Sequence, residues 1–209
     1  VKVHRKEYFS IITHMDDQIG RILQALKNSG QADNTYIFFT ADHGLSVGHH
    51  GLIGKQNLYE HSTKVPFMIT GPGIPRGRII QNPIYLQDAM ATTLAIANVK
   101  KPKQVEFQNL LPLARGDGNS SKHEEIYGAY LDAQRSITVG NRKLIVYPTA
   151  KIYRIYDLEQ DPEEMTDLAG TNKGKKLAQK LFPKLFNLQS KMDDTIDLQS
   201  LFPEFSGAI

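Results

Sequence analysis

The chain has 209 residues, of which 40% are hydrophobic and 22% charged, with 16 Gly and 10 Pro. A chain this long buries roughly 70% of its unfolded surface without a disulfide or metal staple, so it reads as globular: one large domain or two modest ones. The 25 basic and 22 acidic residues leave a formal charge of only +3, too little to argue for nucleic acid, and zero Cys excludes disulfides, thiolate metal sites and a Cys nucleophile within the chain.

Val1-Lys2-Val3-His4-Arg5 is charged and unlike a signal peptide, and Val in first place is expected not to be a native start. No stretch approaches the ~18 apolar residues of a membrane span. Phe9, Ile12, Met15, Ile19, Ile22, Leu23 and Leu26 recur at three- and four-residue steps and predict an amphipathic helix over 6–28, stopped by Asn28-Ser29-Gly30. Tyr36-Ile37-Phe38-Phe39-Thr40 is continuously apolar, as in a strand buried on both faces. A polar, Gly-rich loop runs from Ala41 to near Leu58. Val65-Pro66-Phe67-Met68-Ile69 predicts a second buried strand, closed by Gly71-Pro72-Gly73, and residues 86–98 predict a helix.

The character changes after Lys100-Lys101-Pro102. Four short strands are expected over 126–131, 135–139, 143–147 and 152–158, with Gly140-Asn141 as a hairpin turn. Asp161-Pro162-Glu163-Glu164 is expected to open a helix with Pro in its first turn. A longer helical stretch over 173–198 is expected to break near Pro183, with Phe182, Leu185, Phe186 and Leu188 docking it on the sheet. Gly116-Asp117-Gly118-Asn119-Ser120-Ser121 is the most linker-like run, so the division is set at 1–110, α/β in character, and 111–209, a four-stranded antiparallel sheet with helices.

Chemistry concentrates between Thr40 and Lys55. Asp42 and His43 follow a strand directly, and in open α/β sheets ligands gather at the carboxyl ends of strands. A carboxylate beside an imidazole can hold a divalent cation, and Gly44 permits the turn that lets both reach it. Lys55 returns thirteen residues later on a loop with Gly48, Gly51 and Gly54, and an ammonium there suits a sulfate or phosphate oxygen. Taken alone, Asp42-His43-Gly44 is more often a helix cap and turn than a ligand pair, and Lys55 most often a solvated side chain.

The longer pattern carries a resemblance. Asp33-Asn34-Thr35, the apolar strand, Asp42-His43-Gly44, Gly48-x-x-Gly51-Leu52-x-Gly54-Lys55, Tyr59-Glu60, Val65-Pro66-Phe67 and Gly71-Pro72-Gly73-Ile74 together resemble the type I, formylglycine-dependent sulfatases of the alkaline phosphatase superfamily. Asp16-Asp17-Gln18-Ile19-Gly20-Arg21-Ile22-Leu23 is similar to the family's helix before that strand. Arg142-Lys143-Leu144, Ile155-Tyr156-Asp157-Leu158 and Asp161 to Ala169 are similar to its C-terminal subdomain. The resemblance spans about residues 5–170. It implies the second part of an alkaline-phosphatase-like α/β sandwich followed by an antiparallel-sheet subdomain with helices.

By that resemblance Asp42 is an acidic ligand of a single divalent cation, usually calcium. His43 stands where the family places Asn or His as the next ligand, and Lys55 matches the lysine that binds the sulfate group. His49 and His50 lie in the intervening loop, as candidate substrate contacts or as plain surface residues. The family attacks sulfur with a formylglycine made from the first residue of Cys/Ser-x-Pro-x-Arg, and the chain contains no such motif. The family's first pair of metal-binding aspartates has no match in the chain, and Asp16-Asp17, on an amphipathic surface, is read as structural and not as that pair. The expectation is therefore the C-terminal part of an enzyme hydrolysing sulfate esters of a small molecule or glycan. The formylglycine would lie in the N-terminal part of the same protein, and the fragment alone would be inactive. The alternatives are a phosphonate or phosphodiester hydrolase of the same superfamily and a non-catalytic binding protein with a relic site. A periplasmic or secreted setting is the family's commonest. His14 is read as a helix residue, Glu60 and His61 as packing, and Lys173–Lys180 as a solvated helix face.

Overall fold

The computed structural model describes residues 1–117 and 123–206, so residues 118–121 of the linker-like run lie outside the described residues. The elements in chain order are α1 (Lys2–Asn28), β1 (Ile37–Thr40), α2 (Glu60–Thr63), β2 (Phe67–Thr70), α3 (Asp88–Ile96), α4 (Leu111–Arg115), β3 (Glu125–Tyr130), β4 (Gln134–Val139), β5 (Arg142–Tyr147), β6 (Ile152–Asp157), α5 (Asn172–Lys191) and α6 (Leu198–Leu201). Two compact units are interleaved in the chain. One comprises Val1–Lys55, Val65–Gln81 and Leu86–Ser120; the other comprises Gln56–Lys64, Asn82–Tyr85 and Ser121–Ile209. This differs from a single cut at 110, because residues 56–64 and 82–85 pack with the later sheet.

In the first unit, α1 is unbroken for 27 residues. Ile12, Ile19 and Leu26, seven apart on one helix line, are half-buried, whereas Phe9, Met15, Ile22 and Leu23 are exposed. His14, Asp16 and Asp17 are exposed on the same helix. β1 and β2 pair antiparallel, with Phe38 opposite Ile69. Both were expected to be buried on two faces, and neither is: Phe39 and Met68 are exposed, and β2 alternates half-buried and exposed positions. The two strands pair only with each other in a two-stranded ribbon, so among the described residues no further strand flanks either of them. Buried Asp88 on α3 accepts from the Gln108 backbone N–H at 2.8 Å, and Thr92 Oγ1 accepts from Leu110 N at 2.9 Å, which holds the segment before α4 against α3.

In the second unit, β3–β4–β5–β6 form one antiparallel sheet in sequence order, with Ile137 opposite Leu144 and Leu144 opposite Ile155. Alternation along β5 sorts its side chains. Leu144 and Val146 join Ile137 and Ile155 beneath Ala178, Leu181, Phe182, Leu185 and Phe186 of α5. Ile145 joins Leu58, Tyr59 and Tyr156 in a second cluster. Phe182 stacks on Phe205 at 4.2 Å between ring centroids, so the C-terminal segment closes the same core. Lys175, Lys176 and Lys180 are exposed on the outer face of α5.

Two helical expectations change. No helix opens at Asp161. Asp161 Oδ2 instead accepts from Thr166 N at 2.7 Å, and Glu164 takes a left-handed φ of 55°, which a propagating helix cannot accommodate. Nor does Pro183 break the later helix. α5 continues through it to Lys191, because the carbonyl that loses its partner belongs to exposed Gln179, and the flanking apolar residues bind the helix to the sheet. The helix is then followed by a separate short α6.

Candidate functional site: the loop after β1

The loop from Ala41 to Lys55 lies wholly within the first unit. Asp42 follows two residues after β1, and its Oδ1 accepts from the backbone N–H of His43 at 3.0 Å. His43 Nδ1 lies 2.9 Å from the Gly44 carbonyl oxygen. A carbonyl only accepts, so Nδ1 carries the proton and Nε2 presents its lone pair outward. That Nε2 is 3.1 Å from Asp42 Oδ2 and in hydrogen-bond contact with Lys55 Nζ. Asp42, His43 and Lys55 therefore converge on one point although Lys55 is thirteen residues from Asp42.

The return of Lys55 follows from the loop's construction. Ser46 is buried, and the Gly54 carbonyl oxygen accepts from both its N–H, at 3.0 Å, and its Oγ, at 2.6 Å. Inside that closure Gly48 N donates to Leu52 O at 2.6 Å. Gly48 has φ 102°, a backbone conformation that glycine adopts without strain. Arg5 Nε donates to Val47 O at 2.8 Å and ties the loop to α1. Sequence reasoning assigned no role to Ser46 or Arg5. A hydroxyl residue standing between Gly44 and Gly48 at the foot of a Gly-rich loop was the signal available for the first; nothing local marked the second.

His49 and His50 form the tip of the loop in a single turn of tight helix, half-buried, with ring centroids 6.5 Å apart. The two rings are tilted by 53° to one another. Glu60 and His61 pack as read from sequence: His61 stacks on Tyr59 at 5.7 Å, and Glu60 pairs with Lys143.

Asp42 and His43 fit a shared divalent cation. Two donors at right angles on one ion, each ~2.2–2.4 Å from it, stand ~3.1–3.4 Å apart. The Oδ2 to Nε2 separation is 3.1 Å, and the Nδ1–H to Gly44 bond fixes the tautomer that leaves Nε2 able to ligate. They would be two ligands of a fuller shell: among the described residues no group of three or more His, Asp or Glu side chains is gathered to hold an ion. The Asp42 side chain is 83% exposed.

A family model described as Sulfatase matches residues 3–99, which include this loop and both strands of the ribbon. The chain is 33% identical over 182 residues to an arylsulfatase of Clostridium perfringens, covering 84% of this chain and 38% of that protein. A solved structure in complex with its substrate D-glucosamine-2-N,6-O-disulfate superposes with a TM-score of 0.81 at 27% identity, over 88% of this chain and 40% of that one. A phosphonate monoester hydrolase of Agrobacterium radiobacter superposes with a TM-score of 0.73 at 26% identity, over 86% of this chain and 40% of that one. The chain thus spans about two fifths of the length of the relatives it matches. Sequence and fold agree on one lineage, and the chain belongs to the sulfatase family of the alkaline phosphatase superfamily.

Proposed function

We propose that the chain is the C-terminal part of a sulfuric ester hydrolase acting on a sulfated carbohydrate, and that the loop after β1 supplies its sulfate clamp and part of its metal site. The observation that carries this reading is the contact of Lys55 Nζ with His43 Nε2 beside the Asp42 carboxylate. An ammonium next to a carboxylate and an imidazole nitrogen can bind one oxygen of a sulfate ester. Asp42 and His43 would hold the ion, calcium by family resemblance; when bound, it neutralises sulfate charge and polarises the S–O bonds. Asp42 also orients His43 through its backbone N–H, and the Gly44 carbonyl keeps the His43 proton on Nδ1.

Lys55 meets the transferring oxygens as a point charge, and its effect grows as charge develops on them. His49 and His50, at the loop tip, are proposed substrate contacts. The nucleophile is assigned to the N-terminal part of the same protein as a formylglycine, so residues 1–209 alone are expected inactive. A periplasmic or secreted setting goes with the family. The sugar class draws support from the structural relative solved with D-glucosamine-2-N,6-O-disulfate.

The test is turnover of an aryl sulfate by the complete protein. Lys55→Ala is expected to lower kcat by roughly 10²–10³, as for loss of one charge-stabilising donor; undiminished turnover would sink the reading. A phosphonate or phosphodiester hydrolase is the second reading, favoured by the likeness to the Agrobacterium radiobacter phosphonate monoester hydrolase. A higher kcat/KM for aryl phosphate or phosphonate esters than for aryl sulfates would select it. Absence of turnover on all three would select a binding protein with a relic site.

A further inference from the structure

Ser46 is only 1% exposed, yet it lies neither in an apolar cluster nor in a regular element. Its N–H and its hydroxyl both donate to one acceptor, the Gly54 carbonyl oxygen, at 3.0 and 2.6 Å. A carbonyl oxygen has two lone pairs, so this arrangement fills both. It also fixes the peptide plane from which Lys55 departs, because Gly54 C=O belongs to the peptide bond that carries the Lys55 nitrogen. On the other arm, His43 stands three residues before Ser46. The nine residues 46–54 are thus closed at their neck, and the closure sets the distance between His43 and Lys55.

We infer that Ser46 is a positioning residue that holds the Lys55 ammonium in register with the Asp42–His43 pair. Its backbone N–H alone cannot do this as well. Without the Oγ bond the Gly54 carbonyl can rotate about a single remaining contact, and Gly51 and Gly54 offer no side chain to resist. Misplacement of a charge-bearing group by ~1 Å can lower a reaction rate ~10²-fold. The consequence for turnover rests on the sulfate-clamp reading above; the positioning itself does not.

The test reads the His43 ring directly. The complete protein is prepared with ¹⁵N-histidine and compared at pH 8 with a chelator present, as wild type, Lys55→Ala, Ser46→Ala and Ser46→Thr. In Lys55→Ala the unprotonated Nε2 loses its donor, and its resonance moves downfield. Ser46→Ala is expected to move it the same way by at least half as much with an unchanged melting temperature, and Ser46→Thr, which keeps the hydroxyl, is expected to restore the wild-type position. A Ser46→Ala spectrum identical to wild type while Lys55→Ala shifts overturns the inference. So does a Lys55→Ala spectrum identical to wild type, or a Ser46→Ala chain without a cooperative melt, since the role assigned is register and not global stability. In the complete protein, Ser46→Ala is expected to lower kcat for aryl sulfate about 10-fold and to cost nothing further in a Lys55→Ala background. If both variants turn over like wild type while the His43 shifts hold, the sulfate-clamp reading fails and the positioning stands.

Discussion

Lys143 Nζ donates to Glu60 Oε1 at 2.8 Å, joining β5 to the start of α2 across 83 residues of sequence. The ammonium is almost fully buried and has a second partner, Glu164 Oε1, at 3.1 Å. Glu164 is itself buried, and its Oε2 accepts from the Glu60 backbone N–H at 2.6 Å. One cation therefore serves two carboxylates, and one carboxylate caps the helix that carries the other. Burial raises the Glu164 pKa against the lowering effect of Lys143.

Removing the cation leaves two carboxylates facing each other inside the second unit. Lys143→Met, close in volume, is expected to destabilise the chain by roughly 3–5 kcal/mol. Adding Glu164→Gln should recover part of that loss, because a neutral amide needs no counter-charge and can still accept from Glu60 N. Urea midpoints for the single and double variants check both statements. Equal midpoints for Lys143→Met and wild type would show that the pair contributes nothing.

Asp194 is held by Arg135, whose Nη2 donates to Oδ1 at 3.0 Å and whose Nε reaches Oδ2, and by the Tyr127 hydroxyl. The Arg135 guanidinium holds its carboxyl well below the usual carboxylate range, while burial and the Asp194 carboxylate push the Tyr127 hydroxyl up. A depressed carboxyl pKa contributes stability that is present above the unfolded value, ~3.9, and lost as pH falls through the folded one. Asp194→Asn is therefore expected to cost roughly 3 kcal/mol or more at pH 7. Its deficit relative to wild type should narrow once pH drops below ~4. Thermal melts of the two chains from pH 7 to pH 3 test the sign; a deficit that widens in acid would contradict it.

The second unit was legible because each of its strands sits beside turn residues, and the Gly140-Asn141 hairpin fixes the register of β4 on β5. α1 was legible from spacing alone. The ion pairs were not, since Glu60 and Glu164 are paired to Lys143 by tertiary structure, and no periodicity relates positions so far apart. The expected helix at Asp161 failed for the same reason: burying the Glu164 carboxylate beside Lys143 goes with a left-handed backbone that local propensity disfavours. At the candidate site, residue identities pointed to Asp42, His43 and Lys55. Their convergence depends on the Ser46 to Gly54 closure, which sequence spacing does not reveal.

Gly174 tests whether packing outweighs propensity. It lies in the first turn of α5, where its N–H donates to Thr171 Oγ1 at 2.9 Å. A Cβ there would stand 1.8 Å from the Leu168 carbonyl oxygen, a backbone atom that cannot swing away. Helix propensity alone predicts that Gly174→Ala stabilises by up to ~1 kcal/mol. The close approach predicts destabilisation of about 1–3 kcal/mol instead. The sign of the shift in urea midpoint decides between them.

The last prediction concerns divalent cation affinity, measured by calorimetry with calcium on the complete protein. Asp42→Asn keeps an oxygen for the His43 N–H but removes the charge that an oxygen-preferring ion requires, so affinity should fall at least ~10²-fold. Lys55→Ala should act in the opposite direction, for two reasons. Lys55 Nζ occupies the same His43 lone pair that a cation would use. Its ammonium also repels a dication a few ångströms away by roughly 1–2 kcal/mol in a water-like dielectric, or about 10-fold in affinity. A purely structural Asp42 and Lys55 would leave calcium binding unmoved by either change. Opposite shifts from two residues in contact with the same imidazole are the result expected of an ion bound beside it.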